Sequence, residues 1–377
     1  MQNTSTSQRV LACAIMLGLA ATPCLTLAAD NPVADLGDLL TASGITANGH
    51  LEASYTTGFN KGQTLAYRTF DTRSDTFQFN QAYLNIGFLP TSGFGALATV
   101  LAGDDAKAVN GSYGDGTGNF SLGQAYVQYV NGALTVIGGR FWTLAGVEVV
   151  DSTADGNVSR SLLFQLAQPF AHTGIRAAYK VGDFTAYLGL DNSGSGGRAT
   201  DDNKQKTVEV GGTYAPSAAL TLSLFDYYGF EGAGPALRTN YLDGVAVIAL
   251  AEPLTLSLNA DWYRVSGSGA DIYAAGIGAW LGYQIAPEWK ATVRGEYLST
   301  KNVLACPKAT AKCDIEEATG TLDYQAYKSK SGLSSFDVLA EVRVDFSGQR
   351  VFPNPDLLAP GSAKNQGNFA VKAIYKF

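Results

Sequence analysis

Charge is scarce in this chain. Asp, Glu, Lys and Arg make up 16% of its 377 residues, against about 25% in an ordinary soluble protein. Hydrophobic residues nonetheless reach 46%. Beyond the N-terminus no run approaches the roughly 18 consecutive apolar residues of a spanning helix, which excludes a helical membrane protein. Methionine (2) and histidine (2) nearly vanish, and the net charge of −7 argues against a nucleic-acid partner. What is plentiful is Gly (43), Tyr (19) and Phe (18). An apolar, aromatic, glycine-rich chain without spanning helices suits a barrel wall, where half of each strand meets lipid and backbone groups pair between strands.

The N-terminus reads as a secretory leader. Arg9 is the only charge before Asp30, Val10 to Ala21 is apolar, and Leu27-Ala28-Ala29 offers a small-residue cleavage site. Residues 1–29 are therefore set aside, which moves the net charge from −7 to −8 because only Arg9 is lost. Neither Cys13 nor Cys24 stands where a lipid-modified cysteine would. Of the cysteines, Cys306 and Cys313 remain. They bracket six residues, and in an oxidising compartment they are expected to form a loop-clipping disulfide. A metal site lacks companions, since His50 and His172 lie far away in sequence.

The last ten residues alternate strictly. Phe369, Val371, Ala373, Tyr375 and Phe377 share one face, and Lys372 and Lys376 share the other. This suits the closing strand of a membrane barrel, lipid on one side and a wet lumen on the other, although a soluble sandwich could end the same way. Similar segments recur along the chain. Leu254, Leu256, Leu258, Ala260 and Trp262 oppose Thr255, Ser257, Asn259, Asp261 and Tyr263. Tight turns at Pro90, Asn131-Gly132, Asp183, Pro216, Pro253, Pro287 and Gly332 fall at one end, and long polar loops fall at the other. The tally is about sixteen strands over residues 30–377, an all-β transmembrane antiparallel barrel. A solenoid or large sandwich does not explain the loop asymmetry. Sixteen strands leave an aqueous lumen.

Residues 143–171 break the rhythm. The stretch is long for a hairpin loop and carries apolar residues that a solvated loop does not need. Val158 to Ala167 reads as a short helix packing Leu162, Leu163 and Leu166. The expectation is a segment folded inward after the fifth strand to constrict the lumen; the alternative is a loop lying across the mouth. Its charges Glu148, Asp151, Asp155 and Arg160 would then meet wall arginines Arg176, Arg294 and Arg343, a transverse field that filters small solutes. Each arginine has a plainer explanation as a partner of a wall acid such as Glu209, Glu296 or Glu341. Arg140 has the parity of Leu134 and Val136, so it needs a bulge or rim position. Loop 300–318, holding the cysteines, is placed outside the cell.

Chemistry finds little support. Ser159, Ser161, His172 and Asp151 lie in one region, but their spacing fixes no nucleophile beside a base. The glycines sit in turns and walls rather than in a phosphate loop. The chain is read as no enzyme, with no cofactor.

Several stretches carry a resemblance: Leu39 to Ile45, Phe77 to Leu84, Gly139-Arg140-Phe141 with Gly146-Val147-Glu148, Asn157 to Phe164, and Pro169 to Gly174. Together they resemble the OmpL-like outer-membrane β-barrel porins (beta-barrel porin-2) of Gram-negative bacteria, most densely from Phe77 to Tyr179. The resemblance implies a channel in the outer membrane for passive diffusion of small hydrophilic solutes, without naming a solute. Barrel families also imply that the assembly machinery reads the terminal Tyr375 and Phe377. The remaining partners are outer-membrane lipid and, where copies associate, a homo-oligomer. A reading from another class is a closed barrel whose loops bind a partner.

Overall fold

The computed structural model describes residues 42–377 apart from 60–63, 194–202, 232–236, 268, 305–311 and 355–358. The expected leader, residues 1–29, lies outside the described residues. Five strands come first: β1 (Thr46–Gly58), β2 (Thr76–Phe88), β3 (Gly93–Ala102), β4 (Phe120–Asn131) and β5 (Leu134–Trp142). After the long segment follow β6 (Ala171–Val181), β7 (Phe184–Asp191), β8 (Thr207–Ser217), β9 (Leu220–Glu231) and β10 (Leu237–Ala251). Next are β11 (Leu254–Gly267), β12 (Ala270–Ala286), β13 (Trp289–Lys301), β14 (Lys312–Lys328) and β15 (Ser335–Phe346). A small hairpin, β16 (Phe352–Asn354) with β17 (Ala359–Ala363), precedes the closing strand β18 (Asn365–Lys376).

Every neighbouring pair is antiparallel, and β18 joins β15 to β1, so sixteen strands close into a barrel. Closure leaves no edge, and every strand therefore pairs on both sides without help from water. The tight turns use residues suited to them: Gly132 and Gly182 both sit at φ +57, a region closed to most side chains.

Alternation decides the faces. Phe77 is 83% exposed and Ile277 62%, whereas Glu52, Arg294 and Asp345 on the opposite parity are at most 1% exposed. The apolar parity meets lipid, and the polar parity turns inward. The long-loop end of β14 runs further than the alternation of apolar residues reveals. β14 starts at Lys312, because Lys301 pairs with Lys312 and Thr300 with Cys313. The loop expected over 300–318 thus shrinks to 302–311. Its strand was hidden because Lys312, Asp314 and Glu316 occupy the outward parity, above the apolar band. Cys313 is disulfide-bonded, and Cys306 lies outside the described residues.

Among the described residues two α-helices lie between strands. Helix α1 (Ala106–Tyr113) lies between β3 and β4, where the sequence reads as a polar loop. Helix α2 (Leu162–Leu166) replaces the longer helix expected from Val158. The amides before it are taken by wall carboxylates, so the chain cannot wind earlier.

The seam between the first and last strands extends to the final residue. Gly49 and Phe377 exchange both backbone bonds, at 2.9 and 3.0 Å, and a Cβ added at Gly49 would stand 3.1 Å from the Phe377 ring. Deleting Phe377 removes these bonds and the terminal aromatic. The expected outcome is a sharp fall in heat-modifiable barrel in the outer membrane, with export to the periplasm intact. Normal yield of folded protein from the truncated gene would refute it.

Candidate functional site

The segment between β5 and β6 is tied at its base, where the Thr143 amide donates to the Phe170 carbonyl (3.1 Å). From there it lies against polar-parity side chains of β11 to β15 and β18. The Val147 amide reaches Asn259 on β11 (3.3 Å). Glu148 is 3% exposed. It accepts from Arg294 Nη1 on β13 (2.6 Å), from the Trp280 indole on β12 (3.0 Å) and from the Ser161 amide (2.6 Å). Arg294 also binds Glu317 on β14 at 3.0 Å and donates to the Ser159 carbonyl at 2.8 Å.

Wall carboxylates hold the segment mainly through its backbone. Glu341 on β15 accepts from the amides of Val158 (2.6 Å) and Ser159 (3.1 Å). Glu296 on β13 accepts from Leu162 (2.7 Å) and Leu163 (3.1 Å), the free amides at the start of α2. Ser161 caps the same helix through Phe164 N (3.0 Å). Lys372 on β18 pairs with Glu52 on β1 at 2.7 Å and donates to the Val158 carbonyl at 3.1 Å. Small residues make room for the helix: Leu163 would crowd a Cβ at Gly276 (3.0 Å) or Gly278 (3.3 Å) on β12.

The other charges divide into separate groups. Asp151 caps the 3-10 turn Ser152–Ala154 through the Thr153 amide and hydroxyl (2.9 and 2.6 Å), with His50 Nδ1 at 3.6 Å. Asp155 binds Arg160 Nε at 2.9 Å. Burial pushes its carboxyl up to about 7 against the pull of that arginine. Arg160 staples the segment to itself, donating to the carbonyls of Val149 (2.8 Å) and Val150 (3.1 Å), and lies over Phe70 and Phe164. Arg343 binds Asp345 (2.9 Å) and reaches the Arg160 carbonyl. Arg176 stands apart: it pairs with Glu209 at 2.8 Å and covers the Phe141 ring. Of the wall arginines expected to face these acids, Arg294 meets Glu148, while Arg176 meets neither Glu148 nor Asp151. The segment leans toward β11 to β18, and Glu209 already occupies Arg176. Arg140 is at the rim, bound to Asp115 at 2.6 Å and stacked on Tyr113.

A second inward contact escaped the sequence reading. Arg68, between β1 and β2, is 4% exposed and bonds Asp345 (2.8 Å) and Asn368 (2.9 Å). Thr69 binds Gln165, and Phe70 packs near Phe164, with 6.0 Å between ring centroids. The signal was present: Leu65, Tyr67 and Phe70 make that loop more apolar than a solvated one needs. On the other flank Gln81 of β2 donates both to Asp105, just before α1 (2.9 Å), and to the Val150 carbonyl (3.1 Å). Burial first, and then neighbouring Glu52, push the Asp105 carboxyl up to about 7.

Two predictions follow from these contacts. Arg294→Met strands Glu148 in a buried site and leaves Glu317 with Arg343 at 3.6 Å, which should cost about 3–5 kcal/mol of folding stability. Urea titration of the barrel into liposomes measures it, and a loss under about 1 kcal/mol would contradict the role given to Arg294. Asp105 holds a proton in the fold that an unfolded chain releases near about pH 4. Its contribution is full in acid and declines as pH rises through 7. Asp105→Asn should flatten the difference between urea midpoints at pH 5 and pH 8, which the native chain should retain.

The profile of the beta-barrel porin-2, OmpL-like family matches residues 44–377. No curated protein sequence matches the chain. Among solved structures, Vibrio cholerae OmpT in its trimer form has a TM-score of 0.60 at 12% identity, covering 88% of this chain and 99% of that one. An anion-selective porin from Comamonas acidovorans has a TM-score of 0.58 at 12% identity, with 88% and 99% covered. Pseudomonas putida OprB has 0.59 at 11% identity, with 90% and 96% covered. At such identity these likenesses concern the fold.

Proposed function

The chain belongs to the beta-barrel porin-2, OmpL-like family of outer-membrane porins, and from that membership we propose how its channel works. Small hydrophilic solutes diffuse through the lumen past residues 143–170, which narrow it at mid-height. The observation that carries this reading is the set of bonds from the segment to Asn259, Trp280, Arg294, Glu296, Glu341 and Lys372, all on the polar parity of the wall. Charge selection then works differently from rows of opposed free charges. Glu148, Arg294, Glu317 and Arg343 neutralise one another under the segment, and wall acids Glu296 and Glu341 are masked by amides. A passing solute meets few bare charges.

Dense packing at this level favours a second reading, a lumen that opens only when the segment moves. Tyr83, Leu101, Phe225, Tyr227 and Tyr241, on inward positions around the wall, are all at most 3% exposed.

Deleting residues 151–165 tests both. Removing the amides that mask Glu296 and Glu341 leaves the wall acids Glu52, Glu296, Glu317 and Glu341, and Glu148 on the remaining part of the segment, in excess over Arg294, Arg343 and Lys372. Conductance in planar bilayers should rise, and the reversal potential in a salt gradient should shift toward cations. A silent native protein beside a conducting deletion supports the moving segment. Equal conductance and equal selectivity in both proteins would place the segment outside the path.

A further inference from the structure

Two cavities lie on opposite faces of residues 143–170, and β11 runs past both. The first, about 240 Å³, is on the long-loop side, between Ser112 of α1, Gln165 and Phe170 of the segment, and Tyr263 of β11. The Tyr113 hydroxyl ties α1 to the Gly123 carbonyl of β4, seven strands around the barrel from β11, so this cavity lies in the bore itself. The second, about 330 Å³, is on the tight-turn side, between Val147 and Asp155 of the segment, Thr255 and Ser257 of β11, and Lys290 and Thr292 of β13. Ser257 and Tyr263 are six residues apart, about 20 Å along the strand. Between them stand Asn259 and Asp261, 3% and 4% exposed, closed over by Gly146 and Val147.

At this closed level Asp261 faces Asp243 of β10, its register partner. Asn259 Nδ2 donates to Asp243 Oδ2 (2.6 Å) and to Asp261 Oδ1 (3.0 Å). The other two oxygens, Asp243 Oδ1 and Asp261 Oδ2, have no donor among the described residues. Beside Asp261 the Tyr241 hydroxyl, on a side chain with no exposed surface, is also without a partner. Like charges directly opposite in a sheet repel. Glu52, Glu148, Glu209, Glu317 and Asp345 each pair with a Lys or Arg. Around Asp243 and Asp261 stand only each other, Tyr241, Asn259 and the Gly146 amide, with no cation. In the second cavity Glu148 and Asp155 are bound by Arg294 and Arg160, and Glu252 and Lys290 offset one another. The unanswered charge along β11 is therefore that of the pair.

We propose that Asp243, Asp261 and Tyr241 bind a divalent cation of the calcium kind, and that this site stands on the route between the two cavities. The ion takes the three oxygens left without a partner and completes its shell with water from the first cavity. Hard oxygen ligands suit such an ion, and two carboxylates match its charge. A shared cation also relieves the repulsion that two buried carboxylates otherwise impose. Entry requires Val147 to release Asn259, a contact of 3.3 Å, so the site is reached where a solute would cross the segment. The route rests on the channel reading above; the binding does not.

The binding is tested on the folded, full-length barrel in detergent, titrated with Tb³⁺ whose luminescence is excited through tyrosine, with Ca²⁺ as competitor. The native protein should give a signal that Ca²⁺ displaces. Asp243→Asn with Asp261→Asn, close in shape and uncharged, should lower that signal at least about fivefold while heat-modifiability stays native. Asp271→Asn with Asp314→Asn, which removes acids outside the lumen, should leave it unchanged. A signal that survives loss of the inner pair, or that follows the outer pair, would overturn the site. The route is tested separately in planar bilayers with K⁺ and Cl⁻ as carriers. Ca²⁺ should lower the conductance of the native protein and shift its reversal potential toward anions, and should do neither in the Asp243→Asn, Asp261→Asn variant. Where the native protein is silent, the 151–165 deletion carries this arm, with and without the inner pair. Tb³⁺ binding through the pair beside equal Ca²⁺ effects on both channels would keep the site and overturn the route.

Discussion

A backbone amide in hydrocarbon has no water to turn to, and this constraint shapes everything else in the molecule. It demands closure, which β18 supplies by pairing with both β15 and β1. Closure fixes alternation, because each strand must turn one parity to lipid and the other to the lumen. The lumen then collects the chain's polar residues on a concave wall, and their mutual compensation becomes the next problem. Arg294, Glu296, Glu317, Glu341, Arg343 and Asp345 crowd onto three neighbouring strands.

The fold meets that problem with loop backbone as much as with ion pairs. Arg294 and Arg343 answer Glu317 and Asp345 within the wall. Glu296, 3.8 Å from Arg294, and Glu341, which accepts from the Thr321 hydroxyl, also accept amides from residues 158–163. A buried carboxylate left bare would be costly, and so would helix-start amides left unpaired. Joining the two satisfies both. The segment and the wall are thus interdependent: neither surface is suited to water-free contact without the other.

Much of this was legible in the sequence because alternation is a local property. Strand number, the position of the tight turns and the inward parity of Arg294 and Arg343 all follow from period-2 reading. The start of β14 did not, because its first outward residues, Lys312, Asp314 and Glu316, stand above the apolar band and look like loop. Partner choice was less legible still. That the segment carries acids could be read from residues 148–155; that Glu148 meets Arg294 rather than Arg176 depends on which side of the lumen the segment leans toward. Its direction is set by contacts more than a hundred residues apart, such as Leu163 fitting against Gly276 and Gly278. Arg68 is legible by the same physics, since Leu65, Tyr67 and Phe70 give its loop the apolar content that marks residues 143–171.

The same reasoning explains why charged residues in this lumen should not be equated with selectivity. A transverse field requires charges that face solution, and Arg294 and Arg343 are at most 1% exposed. Their fields are largely cancelled at contact distance by Glu148, Glu317 and Asp345, whose carboxylates lie under the same cover. What such pairs set is the position of the segment, and hence the bore of any path beside it. On the proposed reading, selectivity is governed first by how firmly residues 143–170 are held, and only then by the sign of the charges that hold them.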